Sequence, residues 1–382
     1  MGKVLIVNPW TGKIGPNTFL KGLVHKLLIR GNEVILVYPY KDELSEELRK
    51  SGCSIHYIKQ IKLKHINNYF IKLLNRFYSE FFLFMFLFYL SAKKKLKFNY
   101  YIFNTEILSF SMYGISKNIP GFIIVHALSF NENKNLSKLI FKIQQNRVCK
   151  YVAVSNAVVD VLTKSVSAKD VLMVYNGIDV IHFSKSNLLK RQLVNPIVQI
   201  LSVLHPVPHK GAHHLIEALA IIQEKGIIFC CTIVGWYNDS TDIKYRSYVE
   251  ALIFKYHLED KIYFQPFETD IRVNYSNSDM LVHPSENESF GYVLVEAMAF
   301  ELPIVAFGVG GIIEVIENNV TGFLIQPYDT LKMAEAIFKL IKSKRLSSSL
   351  GKGGRERVVG KFTLEKNMRT LIDLFEENSN RL

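Results

Sequence analysis

Two acids stand eight residues apart in the stretch Ser285–Gly311, SENESFGYVLVEAMAFELPIVAFGVGG. The run Met280–Pro284 reads as a buried strand and Ser285–Ser289 as the loop at its carboxyl end. Phe290 and Gly291 lead into a helix ending near Phe300. Glu288 then lies in the loop, and Glu296 lies more than a turn inside the helix. A carboxylate accepts paired hydrogen bonds from the vicinal hydroxyls of a ribose or hexose. The backbone N–H groups around Phe290–Tyr292, at the positive end of the helix dipole, suit an anion or a polarised hydroxyl. The plainer alternative is a capping acid followed by a surface glutamate on an amphipathic helix.

A second cluster is His205-Pro-Val-Pro-His209-Lys210-Gly-Ala-His213-His214. Histidines at i, i+4 and i+8 raise a metal reading. Pro206 and Pro208 exclude a helix across the first two, so the spacing does not gather them on one face. Lys210 just before a glycine and a helix start fits phosphate better, since its ammonium and the helix N-terminus can neutralise a leaving diphosphate. His126 closes an apolar strand at its carboxyl edge, where it is either a satisfied core histidine or a site residue. The glycine cluster GKGGRER at 351–357 follows no strand and lacks P-loop spacing, so it reads as a turn before the last helical region.

The elements that must position these groups are strands alternating with amphipathic helices. Strand-like runs are Val4–Val7, Val34–Tyr38, Ser54–Ile58, Tyr100–Phe103, Phe122–Val125, Tyr151–Val154 and Val171–Val174. They resume at Ile200–Val203, Phe229–Val234, Ile262–Phe264, Met280–His283, Pro303–Phe307 and Gly322–Ile325. Near-continuous apolar strands between helices predict parallel sheets covered on both faces. The chain therefore reads as α/β, two tandem Rossmann-like doubly wound domains with a cleft between them. The expected domains are 1–180, 181–360 and a C-terminal helical segment, 361–382, packing back on the first. The junction is placed at Asn176–Pro196, where Asn-Gly, scattered charge and a proline interrupt the pattern.

The long match from Glu288-Ser-Phe-Gly-Tyr through Glu296-Ala-Met-Ala, Pro303-Ile-Val-Ala, Gly310-Gly311-Ile-Ile-Glu314 and Thr321-Gly322-Phe323 resembles the signature of retaining glycosyltransferase family 4, of GT-B architecture. Asn176-Gly-Ile-Asp179, Ser155 and Lys210-Gly211 are similar to further family positions. The resemblance implies that Glu296 holds the ribose of a nucleotide-diphosphate sugar, a UDP- or GDP-sugar. It implies that Glu288 contacts the transferred sugar and that Phe290, Gly291 and Tyr292 serve its hydroxyls. Gly235 and Gly211 then shape the donor-binding turns. Lys210 faces the diphosphate from across the cleft. His205 stands where the family usually has an arginine, a departure that lowers the positive charge there. His126 falls close to the donor sugar, and Gly12, Lys13 and Gly15 approximate an acceptor or phosphate loop. The implied activity is hexosyl transfer, without metal or cofactor, to a glycan or lipid-linked acceptor in bacterial surface polysaccharide or lipopolysaccharide biosynthesis. The competing readings are a nucleotide-sugar epimerase or phosphorylase of the same architecture, or a basic nucleic-acid-binding protein. No nucleic-acid-binding motif supports the last, and nucleic acid is not an expected partner.

The charge is split unevenly. Residues 1–190 carry 27 Lys and Arg against 11 Asp and Glu, a balance of +16, whereas residues 191–382 balance at −3. The basic half calls for an anionic partner or has lysine-rich solvated faces. Residues 67–97 are greasy and end in Lys93, Lys94, Lys95 and Lys97. Ten unbroken apolar residues, Phe81 to Leu90, fall short of the ~20 needed to span a bilayer. They form either a buried helix or a patch that dips into an anionic membrane surface. Four cysteines without Cys-x-x-Cys spacing predict reduced thiols in a cytoplasmic protein, peripheral to the membrane if that patch is used.

Overall fold

The computed structural model describes residues 2–10, 15–58, 69–92, 97–105, 111–126, 140–184, 197–236, 242–267 and 270–379, with backbone alone over 69–77. The chain forms two compact units, Met1–Asn176 with Glu365–Leu382, and Gly177–Leu364. The break thus opens the stretch read as the junction, at Asn176, and the chain crosses back at Leu364.

The first unit contains β1 (Lys3–Val7), α1 (Gly15–Ile29), β2 (Glu33–Tyr38), α2 (Glu43–Lys50), β3 (Ser54–Tyr57), α3 (Tyr69–Ala92), β4 (Tyr100–Phe103), β5 (Gly121–Val125), β6 (Lys150–Ala153), α4 (Asn156–Leu162) and β7 (Val171–Met173). Its strands pair in the order β3-β2-β1-β4-β5-β6-β7, every pair parallel. β4 and β5 are buried along their whole length, as expected of strands covered on both faces.

α3 has one buried face and one exposed face. Glu80, Leu83, Leu87 and Leu90 are buried, and the Glu80 carboxylate accepts the Ser111 backbone N–H at 2.8 Å. Tyr78, Phe81, Phe82, Met85, Phe88 and Tyr89 are exposed, Phe88 by 56%. Their spacing of three and four residues puts them in one stripe.

The second unit contains β8 (Val198–Val203), α5 (Ala212–Glu224), β9 (Phe229–Val234), α6 (Ile243–Lys255), β10 (Ile262–Gln265), α7 (Arg272–Ser276), β11 (Met280–His283), α8 (Tyr292–Ala299), β12 (Ile304–Phe307), α9 (Ile312–Val315), β13 (Gly322–Ile325), α10 (Thr330–Lys342) and α11 (Lys344–Lys361). The sheet order is β10-β9-β8-β11-β12-β13, again parallel throughout. β8 feeds leftward to β9 while β11 feeds rightward to β12. Their carboxyl ends are therefore the switch point where open parallel sheets hold ligands.

The last helix, α12 (Leu364–Ser379), packs on the first unit. Phe375 lies against Tyr100 and Phe122, and Arg30 pairs with Asp373 at 2.7 Å.

One expectation is overturned. GKGGRER is not a turn but the middle of α11. Its glycines are there for close approach: a Cβ on Gly351 would collide with the Glu301 carbonyl, and one on Gly354 would press on Met298 of α8. Mid-helix glycine costs about 1 kcal/mol against alanine, which the tight helix contact offsets.

Candidate active site

The site grows from two loops that the sheet order makes neighbours, although Lys210 and Glu288, which meet there, are 78 residues apart in sequence. After β8 the chain makes a short 3-10 turn, Pro208–Lys210, and enters α5 through Gly211. Gly211 has φ +72°, and a Cβ there would run into the Pro284 carbonyl after β11. The two backbones are then pinned together. The Glu286 N–H donates to the His209 carbonyl at 2.9 Å, and Ser285 Oγ donates to the same carbonyl at 3.4 Å.

This close packing brings Lys210 Nζ to 2.7 Å from Glu288 Oε2. The expectation that Lys210 works from across a cleft is therefore corrected: it stands beside Glu288 in the same unit, because β8 and β11 are adjacent strands. Burial by itself would raise the Glu288 carboxyl. The Lys210 ammonium and His283 outweigh that and hold it well below the usual carboxylate range. Glu288 is thus a firmly ionised carboxylate, suited to accepting hydroxyl protons in hydrogen bonds and unsuited to acting as an acid.

Glu296 has the opposite character. It sits in the second turn of α8, where the Tyr275 hydroxyl donates to Oε2 at 2.7 Å. Burial pushes its carboxyl up to about 7, against the pull of that hydroxyl. α8 is entered through Gly291, φ +91°, with no side chain capping it. The Leu294 N–H donates to the Gly291 carbonyl at 3.1 Å, which leaves the N–H groups of Tyr292 and Val293 without a partner inside the helix. Phe290 is buried with its ring edge-on to Tyr292 and Phe362. The buried Tyr292 hydroxyl has no hydrogen-bond partner among the described residues. Gly311 closes the far side: its N–H donates to the Glu288 carbonyl at 2.8 Å, and a Cβ would strike the Ser289 backbone. Gly235 ends β9 at φ +97°, where a Cβ would lie 2.7 Å from the Leu204 carbonyl.

His205 stacks on Phe267 at 5.5 Å between centroids. Burial, with Lys210 and His209 nearby, lowers its pKa, so the ring is neutral at pH 7 and adds no charge of its own.

His126 belongs to the first unit. Its Nε2 lies 2.7 Å from Asn104 Oδ1, while Asn104 Nδ2 donates to Asn8 Oδ1 at 2.7 Å and to the Pro16 carbonyl at 3.0 Å. With Asn104 Oδ1 acting as acceptor, the imidazole proton is on Nε2 and Nδ1 keeps its lone pair. Burial pushes His126 down to about 3. It is a neutral hydrogen-bond acceptor, held by an asparagine network. Gly15 is the first residue of α1, whereas Gly12 and Lys13 lie outside the described residues.

Two residues escaped the sequence reading. Tyr275, fully buried, is the partner that fixes Glu296. His283, the last residue of β11, is 2% exposed, and its Nε2 lies 3.5 Å from Glu288 Oε2. Neither signals itself in sequence, because a tyrosine in a short helix and a histidine at a strand end are ordinary core residues.

The profile of the "Glycosyl transferases group 1" family matches residues 191–357, and that of "Glycosyltransferase Family 4" matches residues 15–181. The chain belongs to the family 4, group 1 glycosyltransferases. The chain is 32% identical over 162 residues to CapM, a capsular polysaccharide biosynthesis glycosyltransferase of Staphylococcus aureus, covering 41% of this chain and 40% of CapM. It is 30% identical over 238 residues to the N-acetyl-alpha-D-glucosaminyl L-malate synthase of Bacillus anthracis, covering 61% of this chain and 60% of that one. The aligned stretches span less than two thirds of either relative. A glycosyltransferase from Rickettsia africae ESF-5 superposes with a TM-score of 0.80 at 21% identity, over 99% of this chain and 98% of that one. Anabaena HepE, solved in complex with UDP and glucose, gives 0.79 at 18% identity over 98% and 100%. The fold is thus GT-B, with two parallel-sheet α/β units.

Proposed function

We propose that this chain transfers a hexose-type sugar, with retention, from a nucleotide-diphosphate sugar to a hydroxyl of a glycan or lipid-linked acceptor. The observation that carries the reading is the pair of contrasting glutamates at the switch point of the second sheet. Glu288 is ionised beside Lys210, and Glu296 is part-buried beside Tyr275. In this reading Glu296 accepts the ribose hydroxyls and the first turn of α8 meets sugar hydroxyls or phosphate oxygens. Glu288 orients the transferred sugar.

In the transfer step the bond from the anomeric carbon to the diphosphate oxygen breaks, and the nucleoside diphosphate leaves with the electron pair. The acceptor oxygen bonds the same carbon and its proton passes to the leaving phosphate. Lys210 and the N-terminus of α5 stabilise the developing negative charge. On donor binding Lys210 exchanges part of its contact with Glu288 for the phosphate. His205, neutral, contributes a hydrogen bond rather than charge. Metal is not needed for this step, because lysine and helix N–H groups supply the positive potential. The bound UDP of Anabaena HepE makes uridine donors the first to test.

We further place the acceptor at an anionic membrane face, in bacterial surface polysaccharide or lipopolysaccharide assembly. Among the described residues no helix is long and apolar enough to cross a membrane. The aromatic stripe of α3 supports an interfacial contact instead. Next to Phe88 a cavity of about 300 Å³ is lined by Tyr113, Lys117 and Arg147, a pairing of aromatic and cationic groups that suits lipid headgroups. CapM, named for capsule biosynthesis, supports the same setting.

The test is a screen of UDP- and GDP-sugars with washed bacterial membranes as acceptor source, reading released nucleoside diphosphate and sugar incorporated into lipid extract. Release coupled to incorporation is expected. Conversion of donor without incorporation would replace transfer by epimerisation or phosphorolysis.

A further inference from the structure

The start of α5 holds two histidines that the transfer step does not use. The rings of His213 and His214 lie 3.9 Å apart between centroids, tilted by 39°. Glu286, from the loop after β11, reaches both. Its Oε1 is 3.2 Å from His214 Nε2 and 3.9 Å from His213 Nε2. One ligand atom from each residue falls within 4.8 Å of the others. A tetrahedral cation with bonds of about 2.1 Å separates its ligand atoms by about 3.4 Å, so the two distances bracket what such an ion needs.

The surroundings of the two rings point the same way. Tyr245 Oη accepts the His213 backbone N–H at 3.3 Å and sits 2.8 Å from His213 Nδ1, which orients that ring with Nε2 toward Glu286. His214 is 8% exposed, and its Nδ1 has no hydrogen-bond partner. With the proton on Nε2, facing Glu286, a buried lone pair is left unmatched. A cation on Nε2 would move the proton to Nδ1, which faces Glu217 Oε2 at 3.9 Å. A small side-chain rotation then completes the carboxylate–histidine–metal arrangement common around bound ions.

We propose that His213, His214 and Glu286 bind a zinc-class divalent cation, with water in the open fourth position. Two imidazoles and a carboxylate form a donor set for such an ion. The cation would tie the start of α5 to the loop that carries Glu288, adding a second link to the Glu286 N–H bond to His209. Its role is positional: it lies outside the bonds made and broken in transfer. The inference does not rest on the transferase reading, since its measurement is metal binding.

The experiment is titration of chelator-treated full-length protein with Co²⁺, read by the visible absorption of a four-coordinate site, followed by Zn²⁺ competition. One Co²⁺ per chain, displaced by Zn²⁺ and accompanied by a rise in Tm, is expected. Tyr245→Phe, which removes only the hydroxyl behind His213, should weaken Co²⁺ about ten-fold. The His214→Gln, Glu286→Gln double variant, checked for folding by circular dichroism, should abolish the absorption, while His209→Gln should keep it. Absence of saturable Co²⁺ binding overturns the proposal. So does binding that survives in the folded double variant or disappears in His209→Gln.

Discussion

Lys210 and Glu288 form an ion pair whose members have separate tasks once a donor arrives. Removing Lys210 leaves the part-buried Glu288 without its main counter-charge and, in the proposed transfer, takes away the cation that meets the leaving diphosphate. Lys210→Ala should lower kcat by about 10²–10³-fold, the usual loss for one electrostatic group at a developing oxyanion. Donor KM should change much less. Steady-state kinetics decide it, and a change confined to KM would make Lys210 a binding residue only.

Glu296 carries the opposite strain. Its folded pKa, about 7, stands above its ordinary value of 4.5. Between those values the folded chain holds more protons than the unfolded one. Stability is therefore fully present below about pH 4.5 and is lost as pH rises through about 7. Glu296→Gln should raise the stability of the ligand-free protein at pH 8 by on the order of 2 kcal/mol. It should also remove a rise in donor affinity between pH 6 and 8 that the wild type shows as the carboxylate becomes able to accept two hydroxyl bonds. Thermal unfolding and donor titration at both pH values test this. Unchanged stability with an unchanged pH profile would contradict the buried, part-protonated carboxylate.

At the scale of elements, α3 makes the clearest prediction. Its buried face is anchored by Leu83, Leu87 and Leu90, so its exposed face can be changed with little cost to folding. Replacing Phe81, Phe82 and Phe88 together by serine should abolish retention on vesicles of mixed anionic and neutral lipid in co-sedimentation, with Tm nearly unchanged. Equal retention of variant and wild type would remove α3 as the docking face. The same helix shows what a linear sequence can reveal. Apolar runs such as Tyr100–Phe103 and Phe122–Val125 announce buried parallel strands, and these strands stand where the pattern puts them. The ten-residue run Phe81–Leu90 says only that the segment is apolar. Which face is covered depends on residues such as Ser111, distant in sequence. GKGGRER misled for a related reason: glycine promises a turn unless a neighbouring helix needs its missing side chain.

At the scale of the whole molecule, the two α/β units were readable from the alternation of strands and helices. The return of α12 to the first unit rests on contacts between Phe375 and strands some 250 residues earlier. In the site, the spacing of Glu288 and Glu296 was legible because both lie on one strand–loop–helix segment. The Lys210–Glu288 pair was not, because it depends on β8 lying beside β11. Tyr275 and His283 stayed hidden for the same reason: their importance is what they touch. The uneven charge, +16 in residues 1–190 and −3 beyond, fits a division of labour in which the second unit holds the donor and the first meets an anionic surface.

Calorimetric titration of the chain with UDP and GDP tests the proposed donor cradle most directly. One nucleoside diphosphate should bind per chain, and Glu296→Ala should weaken it at least ten-fold while keeping the fold by circular dichroism. No binding of either nucleotide, or equal binding by wild type and Glu296→Ala, would contradict it.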